Sequence, residues 1–250
     1  VATGRLVQAA AAYNIVPVTL ELGGKSPQLF FEDANLENAL PFLVNAGIQN
    51  GGQTCSASSR ILVHRSRYDE VIDRMSKKYK KLIVRPAIED GALGPLISER
   101  QKSIVEDFIS KGQNLNLVAQ GEIDGKAPEK GHYVAPHLFA DVSDDHILAK
   151  DEIFGPVQVI MPFDTEEEAI NIANGTDYGL VASIWTNDGA RQMRLAKKLK
   201  SGQVFINNYG AGGGVELPFG GRGFSGHGRE KGFEALFGFS TLKTVASYHQ

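Results

Sequence analysis

Apolar positions recur along this chain with two different periods, and the switches between them predict its elements. Residues 4–13, rich in Ala, Leu and Gln, predict a helix. Val18-Thr-Leu-Glu-Leu22 alternates with period two, which predicts a strand broken by Gly23-Gly24. Pro27 to Phe31 is a second short strand, and Asp33 or Asn35 is placed to cap a helix running to about Gln49. Ile61 to His64 reads as a strand and Tyr68 to Leu82 as an amphipathic helix, with Lys77, Lys78, Lys80 and Lys81 on a solvated face. Ser98 to Lys111 is helical, Leu115 to Ala119 and His132 to Leu138 are strand-like, and Val157 to Met161 is a buried strand. Thr165 and Glu168 stand three apart, in capping-box spacing, at the start of a helix ending on Asn174-Gly175. Leu180 to Trp185, Asp188 to Leu199 and Gln203 to Asn207 then predict strand, helix, strand, and a Gly-rich stretch covers 209–228. A helix over about 229–237 and a strand from Thr241 to Tyr248 close the chain. Strands alternating with helices in this way predict an α/β fold, a three-layer αβα domain on a largely parallel sheet, with a C-terminal helix and strand appended.

Composition narrows the function classes. The 250 residues carry 26 Lys+Arg against 29 Asp+Glu, a net charge of −3. Nucleic-acid grooves and membrane-surface anchors need an excess of cations, so neither partner is expected. No stretch approaches the ~20 apolar residues of a spanning helix, which predicts a soluble chain. Val1-Ala-Thr-Gly4 has no initiator Met and no signal-peptide pattern, and a helix begins at once. This predicts a piece of something longer, with a cytoplasmic setting. One cysteine excludes an internal disulfide and a cysteine-ligated zinc site, and the six histidines are scattered, so no metal is expected.

Three short patterns imitate phosphate loops or acceptor sites. Gly221-Arg-Gly-Phe-Ser-Gly226 spells a dinucleotide fingerprint, but no strand runs into it and no acidic residue follows at the required distance. Gly24-Lys25-Ser26 resembles the end of a P-loop, yet Thr19 stands where its first glycine must be. Asn174-Gly-Thr176 fits a glycosylation acceptor, but reads better as a helix-ending turn.

Cys55 lies in Asn50-Gly-Gly-Gln-Thr-Cys-Ser-Ala-Ser-Ser59, among small residues rather than the branched apolar ones a core thiol packs against. A thiol is mostly protonated below its ordinary pKa of ~8.5, so a reactive one needs a helix N-terminus, a base or a cation nearby. Glu21 is the natural partner. In an alternating strand it points opposite to Leu20 and Leu22, and at the mouth-end of a parallel strand it would lie where α/β proteins build active sites. A cysteine with a carboxylate that takes a proton from water can form and hydrolyse a thioester. The bland alternatives, a packed thiol and a water-facing edge glutamate, stay open on these residues alone.

Val18-Thr-Leu-Glu21-Leu-Gly-Gly-Lys-Ser-Pro27 resembles the glutamate signature of the aldehyde dehydrogenase superfamily. Gly52-Gln-Thr-Cys55 resembles its cysteine signature, 34 positions after Glu21. Asp151-Glu-Ile-Phe-Gly-Pro-Val157 is similar to its cofactor-ribose motif, and Pro218-Phe-Gly-Gly221 with Ser225-Gly-His-Gly-Arg-Glu230 to its closing motifs. The resemblance implies oxidation of a small-molecule aldehyde to a carboxylic acid with NAD or NADP. Cys55 would be the nucleophile, its backbone N–H part of the oxyanion site, and Glu21 the general base that deacylates the thioester. Glu152 would hold the nicotinamide-side ribose, Phe154 would pack near the ring, Leu22 would approach the carboxamide, and Gly4 would end the pyrophosphate turn. The glutamate favours hydrolysis over acyl transfer to coenzyme A. By the same resemblance, 1–22 would end a cofactor-binding domain, 23–223 would form the catalytic domain, and 224–250 would be a returning helix and an oligomerisation strand. The N-terminal half of such an enzyme has no counterpart in this sequence. A catalytically incomplete interaction fragment, or one with esterase activity only, is therefore the competing expectation.

Overall fold

A computed structural model describes residues 1–210 and 214–249. Seven strands form the central sheet in the order β10-β9-β2-β3-β8-β7-β5. They are β2 (Pro27–Phe30), β3 (Arg60–His64), β5 (Asn116–Gln120), β7 (His137–Ala140), β8 (Val157–Phe163), β9 (Val181–Trp185) and β10 (Gln203–Ile206). All neighbours run parallel except the edge pair β5–β7. Each central strand is buried on both faces and sends alternate residues to opposite layers. Ile61, Val63 and Ile160 pack under α2 (Leu36–Ile48) and α3 (Tyr68–Tyr79). Leu62 and Ala182 face α6 (Glu166–Asn174) and α7 (Gly189–Lys198), while Val159 and Met161 face α4 (Glu99–Lys111) and α5 (Ile147–Lys150). The expected three-layer α/β domain is present.

Local chemistry sets the helix ends. Of the two expected caps, Asn35 starts α2, its side chain accepting from the Asn38 N–H at 3.1 Å. Thr165 caps α6, but Glu168 turns back to the Asp164 N–H rather than to Thr165, so the box closes one residue early. Gly175 ends α6 at φ −77°, without the left-handed turn that an Asn-Gly end suggests. Two buried glutamines dock α2 on the sheet. Gln28 donates to the Phe42 carbonyl and accepts from the Trp185 indole; Gln158 donates to the Leu43 carbonyl. Arg60, 2% exposed, spends its guanidinium on the carbonyls of Lys25, Ile172 and Ala173 at 2.7–2.9 Å.

Several expected elements are shorter or different. α1 spans Ala2–Tyr13 as expected, but the strand expected over 18–22 is only β1 (Leu20–Glu21). It pairs antiparallel with β11 (Gly226–His227), outside the main sheet. Glu21 is therefore not at the end of a parallel strand. A separate parallel pair joins β4 (Ile83–Val84) to β6 (Glu122–Ile123). The helix expected to reach Leu82 stops at Tyr79, and the strand expected from His132 begins at His137. Only one helical turn, α8 (Ala235–Gly238), forms where 229–237 was expected. Thr241 to Tyr248 is not a strand: a strand needs a partner edge, and the segment pairs with none among the described residues, its side chains exposed. Part of the Gly-rich loop, residues 211–213, lies outside the described residues. No described helix is long and apolar enough to cross a membrane.

Asp33, in the turn after β2, ties that strand to the start of α7. Its carboxylate accepts from the Thr186 hydroxyl (2.7 and 2.9 Å), the N–H groups of Asn187 (2.8 Å) and Asp188 (3.0 Å), and Arg191 (3.3 Å). Burial pushes its pKa up, but Thr186, Asn187 and Arg191 outweigh that and hold it below the ordinary 3.8. Such a group stabilises the fold at pH above the unfolded-state value, and the contribution is lost as pH falls through the lowered one. Asp33→Ala should cost about 2 kcal/mol in urea unfolding at pH 7. That difference should shrink below about pH 4, where the wild-type carboxylate also takes up its proton.

Candidate active site

Three segments meet where β2, β3 and β8 begin. The first runs through Glu21-Leu-Gly-Gly-Lys25, the second is the loop after α2 that carries Cys55, and the third is Glu152-Ile-Phe-Gly155. They approach more closely than side chains allow. A Cβ on Gly24 would overlap the carbonyl oxygen of Cys55, and a Cβ on Gly52 would overlap that of Gly155. Gly52 also holds φ +75°, following Asn50 at +53° and Gly51 at +66°. The glutamate and cysteine segments are therefore packed backbone to backbone.

Cys55 is half-buried and packs partly against Leu180, Val181 and Tyr209 rather than in the core. The Tyr209 hydroxyl donates to the Ser56 carbonyl in a short bond. Burial pushes the thiol pKa up; the Ser56 N–H, and next to it the Cys55 N–H, pull it down, and the charges of Glu21 and Glu152 push it up again. Both carboxylates thus lie within electrostatic range of the sulfur. Glu21 is the more perturbed group, raised from 4.5 to about 7 by burial and by Glu230, against the pull of Arg229 and of the Gly221 N–H. Its oxygens are buried with no hydrogen-bond partner of good geometry. The Glu21 carboxyl is therefore shielded from water, and the thiol is half-buried at the edge of a small apolar cluster.

The expected cofactor-side residues fall into two places. Glu152 accepts from the Gly24 N–H at 3.0 Å, and burial raises its pKa. Phe154 is 37% exposed at φ +55°, its carbonyl and that of Ile153 held by Gln101 (3.0 and 3.2 Å). Gly4 and Leu22 lie together elsewhere, a Cβ on Gly4 falling 2.7 Å from Leu22. They line an apolar cavity of about 390 Å³ with Val1, Arg5, Leu20, Phe224 and others. The two places adjoin through Gly23, next to Leu22, where a Cβ would overlap the Glu152 carboxylate. No cluster of described residues suits a metal.

Three groups at the site escaped the sequence reading. Arg229 and Glu230 bear on Glu21, although their motif was visible. Lys25 is 1% exposed with an unpartnered Nζ, and burial lowers its pKa from 10.5 to about 7. A lysine so enclosed cannot reach a phosphate, which agrees with rejecting a P-loop. Its burial had no signal in the sequence, because Lys beside Gly-Gly reads as exposed.

The aldehyde dehydrogenase family model matches residues 1–245. The chain belongs to the aldehyde dehydrogenase family. It is 40% identical over 248 residues to betaine aldehyde dehydrogenase of Rhizobium johnstonii, an alignment covering 98% of this chain and 51% of that relative. A crystal structure of a putative aldehyde dehydrogenase from Burkholderia cenocepacia superposes with TM-score 0.96 at 59% identity, over 98% of this chain and 52% of that one. The NAD+ complex of a Mycobacterium tuberculosis aldehyde dehydrogenase superposes at 0.88 with 42% identity, over 95% of this chain and 49% of that one. The chain spans about half the length of the relatives it matches.

The charge relation between carboxyl and thiol has a measurable sign. Because ionised Glu21 raises the thiol pKa, Glu21→Gln should lower the pH midpoint of Cys55 alkylation by iodoacetamide. Cys55 is the sole thiol, so the rate-versus-pH curve reads it directly. A midpoint that rises in the variant contradicts the arrangement.

Proposed function

We propose that this chain carries the chemical half of an enzyme that oxidises a small-molecule aldehyde to a carboxylic acid. What supports this reading is a half-buried thiol beside a carboxyl group whose pKa stands at about 7. A base with that pKa is half ionised at neutral pH, where it can both take and return a proton. Cys55 Sγ would add to the aldehyde carbon and carry the acyl group as a thioester. The Cys55 N–H would stabilise the developing oxyanion. Glu21 would then take a proton from the water that attacks the thioester, releasing the acid and the free thiol.

The residues present fit NAD or NADP. The apolar cavity offers a slot lined by Gly4, Gly223 and Gly226, and the half-buried Glu152 carboxylate packs against Gly23, next to the lining residue Leu22. Glu152 would bind ribose hydroxyls, Phe154 would pack near the ring, the Leu22 backbone would approach the carboxamide, and Gly4 would end the turn near the pyrophosphate. The bound cofactor would supply the oxidising equivalent. In this reading residues 1–22 end the cofactor-binding domain, 23–223 form the catalytic domain, and 224–250 serve assembly in a cytoplasmic enzyme. The tail supports the last point: Leu242, Val245 and Tyr248 are 84–97% exposed, apolar side chains with nothing packed over them among the described residues.

A second reading, cleavage of activated esters, follows from the same thiol and carboxyl group without the cofactor. With an activated aryl ester, the wild-type chain should turn over and Cys55→Ala should not. Glu21→Gln should give one stoichiometric burst and then turnover slowed about 10²–10⁴-fold. Wild-type turnover should rise with pH through about 7, as Glu21 ionises. Hydrolysis surviving in Cys55→Ala refutes both readings. Reduced nicotinamide formed from an aldehyde by the protein containing this chain, and lost in Cys55→Ala, tests the oxidation itself. Removing residues 241–250 should lower the oligomeric mass seen by light scattering; an unchanged mass argues against assembly through the tail.

A further inference from the structure

The nucleophile's loop bonds to itself at Asn50 and Gln53, each side chain donating to the other's carbonyl at 3.1 and 3.0 Å. The Ala57 N–H also donates to the Thr54 carbonyl at 2.8 Å, but these bonds do not tie the loop to the rest of the domain. Residues 49–59 are small or polar, and a loop of that composition keeps one geometry only if something outside it fixes its carbonyls. One of its ties comes from the middle of the sheet. Gln158 lies on β8 between Val157 and Val159, with no exposure to solvent. Its amide nitrogen donates to two carbonyls, Leu43 on α2 at 2.9 Å and Ser58 in the loop, the latter through a short bond. Its amide oxygen accepts from the hydroxyl of Tyr79 on α3, also in a short bond. Tyr79 is likewise fully buried, and Gly47 leaves room for the amide, since a Cβ there would overlap it.

Both N–H donors of this amide and one lone pair of its oxygen are used, and its orientation is therefore set. Two carbonyls require NH2 on one side, and a hydroxyl donor requires the oxygen on the other. An apolar residue would fill the same volume at lower desolvation cost, so the amide is best understood through what it holds. It joins the last turns of α2 to a carbonyl three residues after Cys55. In this stretch the Ser58 N–H also bonds the Ala46 carbonyl at 2.9 Å. The Ser56 N–H that lowers the thiol pKa lies between the nucleophile and this anchor.

We infer that Gln158, oriented by Tyr79, is a positioning residue for the nucleophile: it fixes the Ser58 carbonyl and thereby aims the Ser56 N–H at the Cys55 sulfur. This rests on Cys55 being the nucleophile, but the thiol's own reactivity reports on the loop whether or not that holds. Gln158→Met keeps the volume and removes all three bonds. Tyr79→Phe removes only the orienting hydroxyl. Val71→Ala, a cavity in the same layer with no polar tie to the loop, controls for general destabilisation.

The measurement is the pH midpoint of Cys55 alkylation by iodoacetamide, with thermal melts to compare stability losses. Gln158→Met should raise the midpoint by about one unit, slowing alkylation about tenfold at pH below the midpoint. Tyr79→Phe should move it the same way by less, and Val71→Ala should leave it in place. An unchanged midpoint in folded Gln158→Met overturns the inference. So does an equal shift in Val71→Ala. Where Gln158→Met does not fold, an unchanged midpoint in Tyr79→Phe overturns it. Ester turnover separates the two levels: its absence in wild type counts against the catalytic reading, whereas the midpoints decide the positioning role.

Discussion

The site depends on a steric constraint: backbones that touch where any side chain would intervene. Gly24 lies against the carbonyl of Cys55, and Gly52 against that of Gly155. The Gly24 N–H then accounts for one oxygen of Glu152. Through these contacts three segments far apart in sequence share one small volume, and the carboxylates come within range of the sulfur. The sheet supplies the frame, because β2 and β3 are adjacent, parallel and in register from Pro27 opposite Arg60 onward. Their preceding turns are thereby side by side, and the glycines let them close up.

The electrostatics of that volume oppose spontaneous reactivity. Burial and two neighbouring carboxyl groups raise the thiol pKa, so the resting sulfur is protonated at neutral pH. Burial and Glu230 raise Glu21 as well, with Arg229 opposing. Under the proposed chemistry this is a useful balance. A base with a pKa near 7 is available to the thiol and then to water, and neither group is held permanently as an ion.

The layers were legible in the sequence because the central strands are buried on both faces and the helices between them show a clear apolar stripe. Ile61 and Leu62, consecutive and packed in opposite layers, are the kind of run that announces a parallel sheet. The ends of the chain were not legible for a related reason. Val18 to Leu22 alternates and Thr241 to Tyr248 is rich in strand-forming residues, but such patterns record a preference for an edge and cannot create one. The first finds two residues of partner in β11 and the second finds none. At the site, Cys55 and Glu21 stood out through residue type and position, and Glu152 through its place in a motif that resembles one of the family. Lys25, Gln158 and Tyr79 did not, since a polar side chain satisfied or enclosed in the interior looks the same in sequence as one in water. Arg229 and Glu230 lay in a segment already singled out, and only their bearing on Glu21 required coordinates.

Arg60 shows what such enclosure does to motion. One buried guanidinium holds the last carbonyls of α6 and the carbonyl of Lys25 together. The end of that helix cannot fray while the guanidinium stays in place, because fraying would strand a cation in the interior. Amide protons in its final turn would then exchange with solvent only when the sheet itself opens, not through the local breathing usual at helix termini. The rigidity of the segment leading into β2 is in this sense borrowed from a helix far along the sequence.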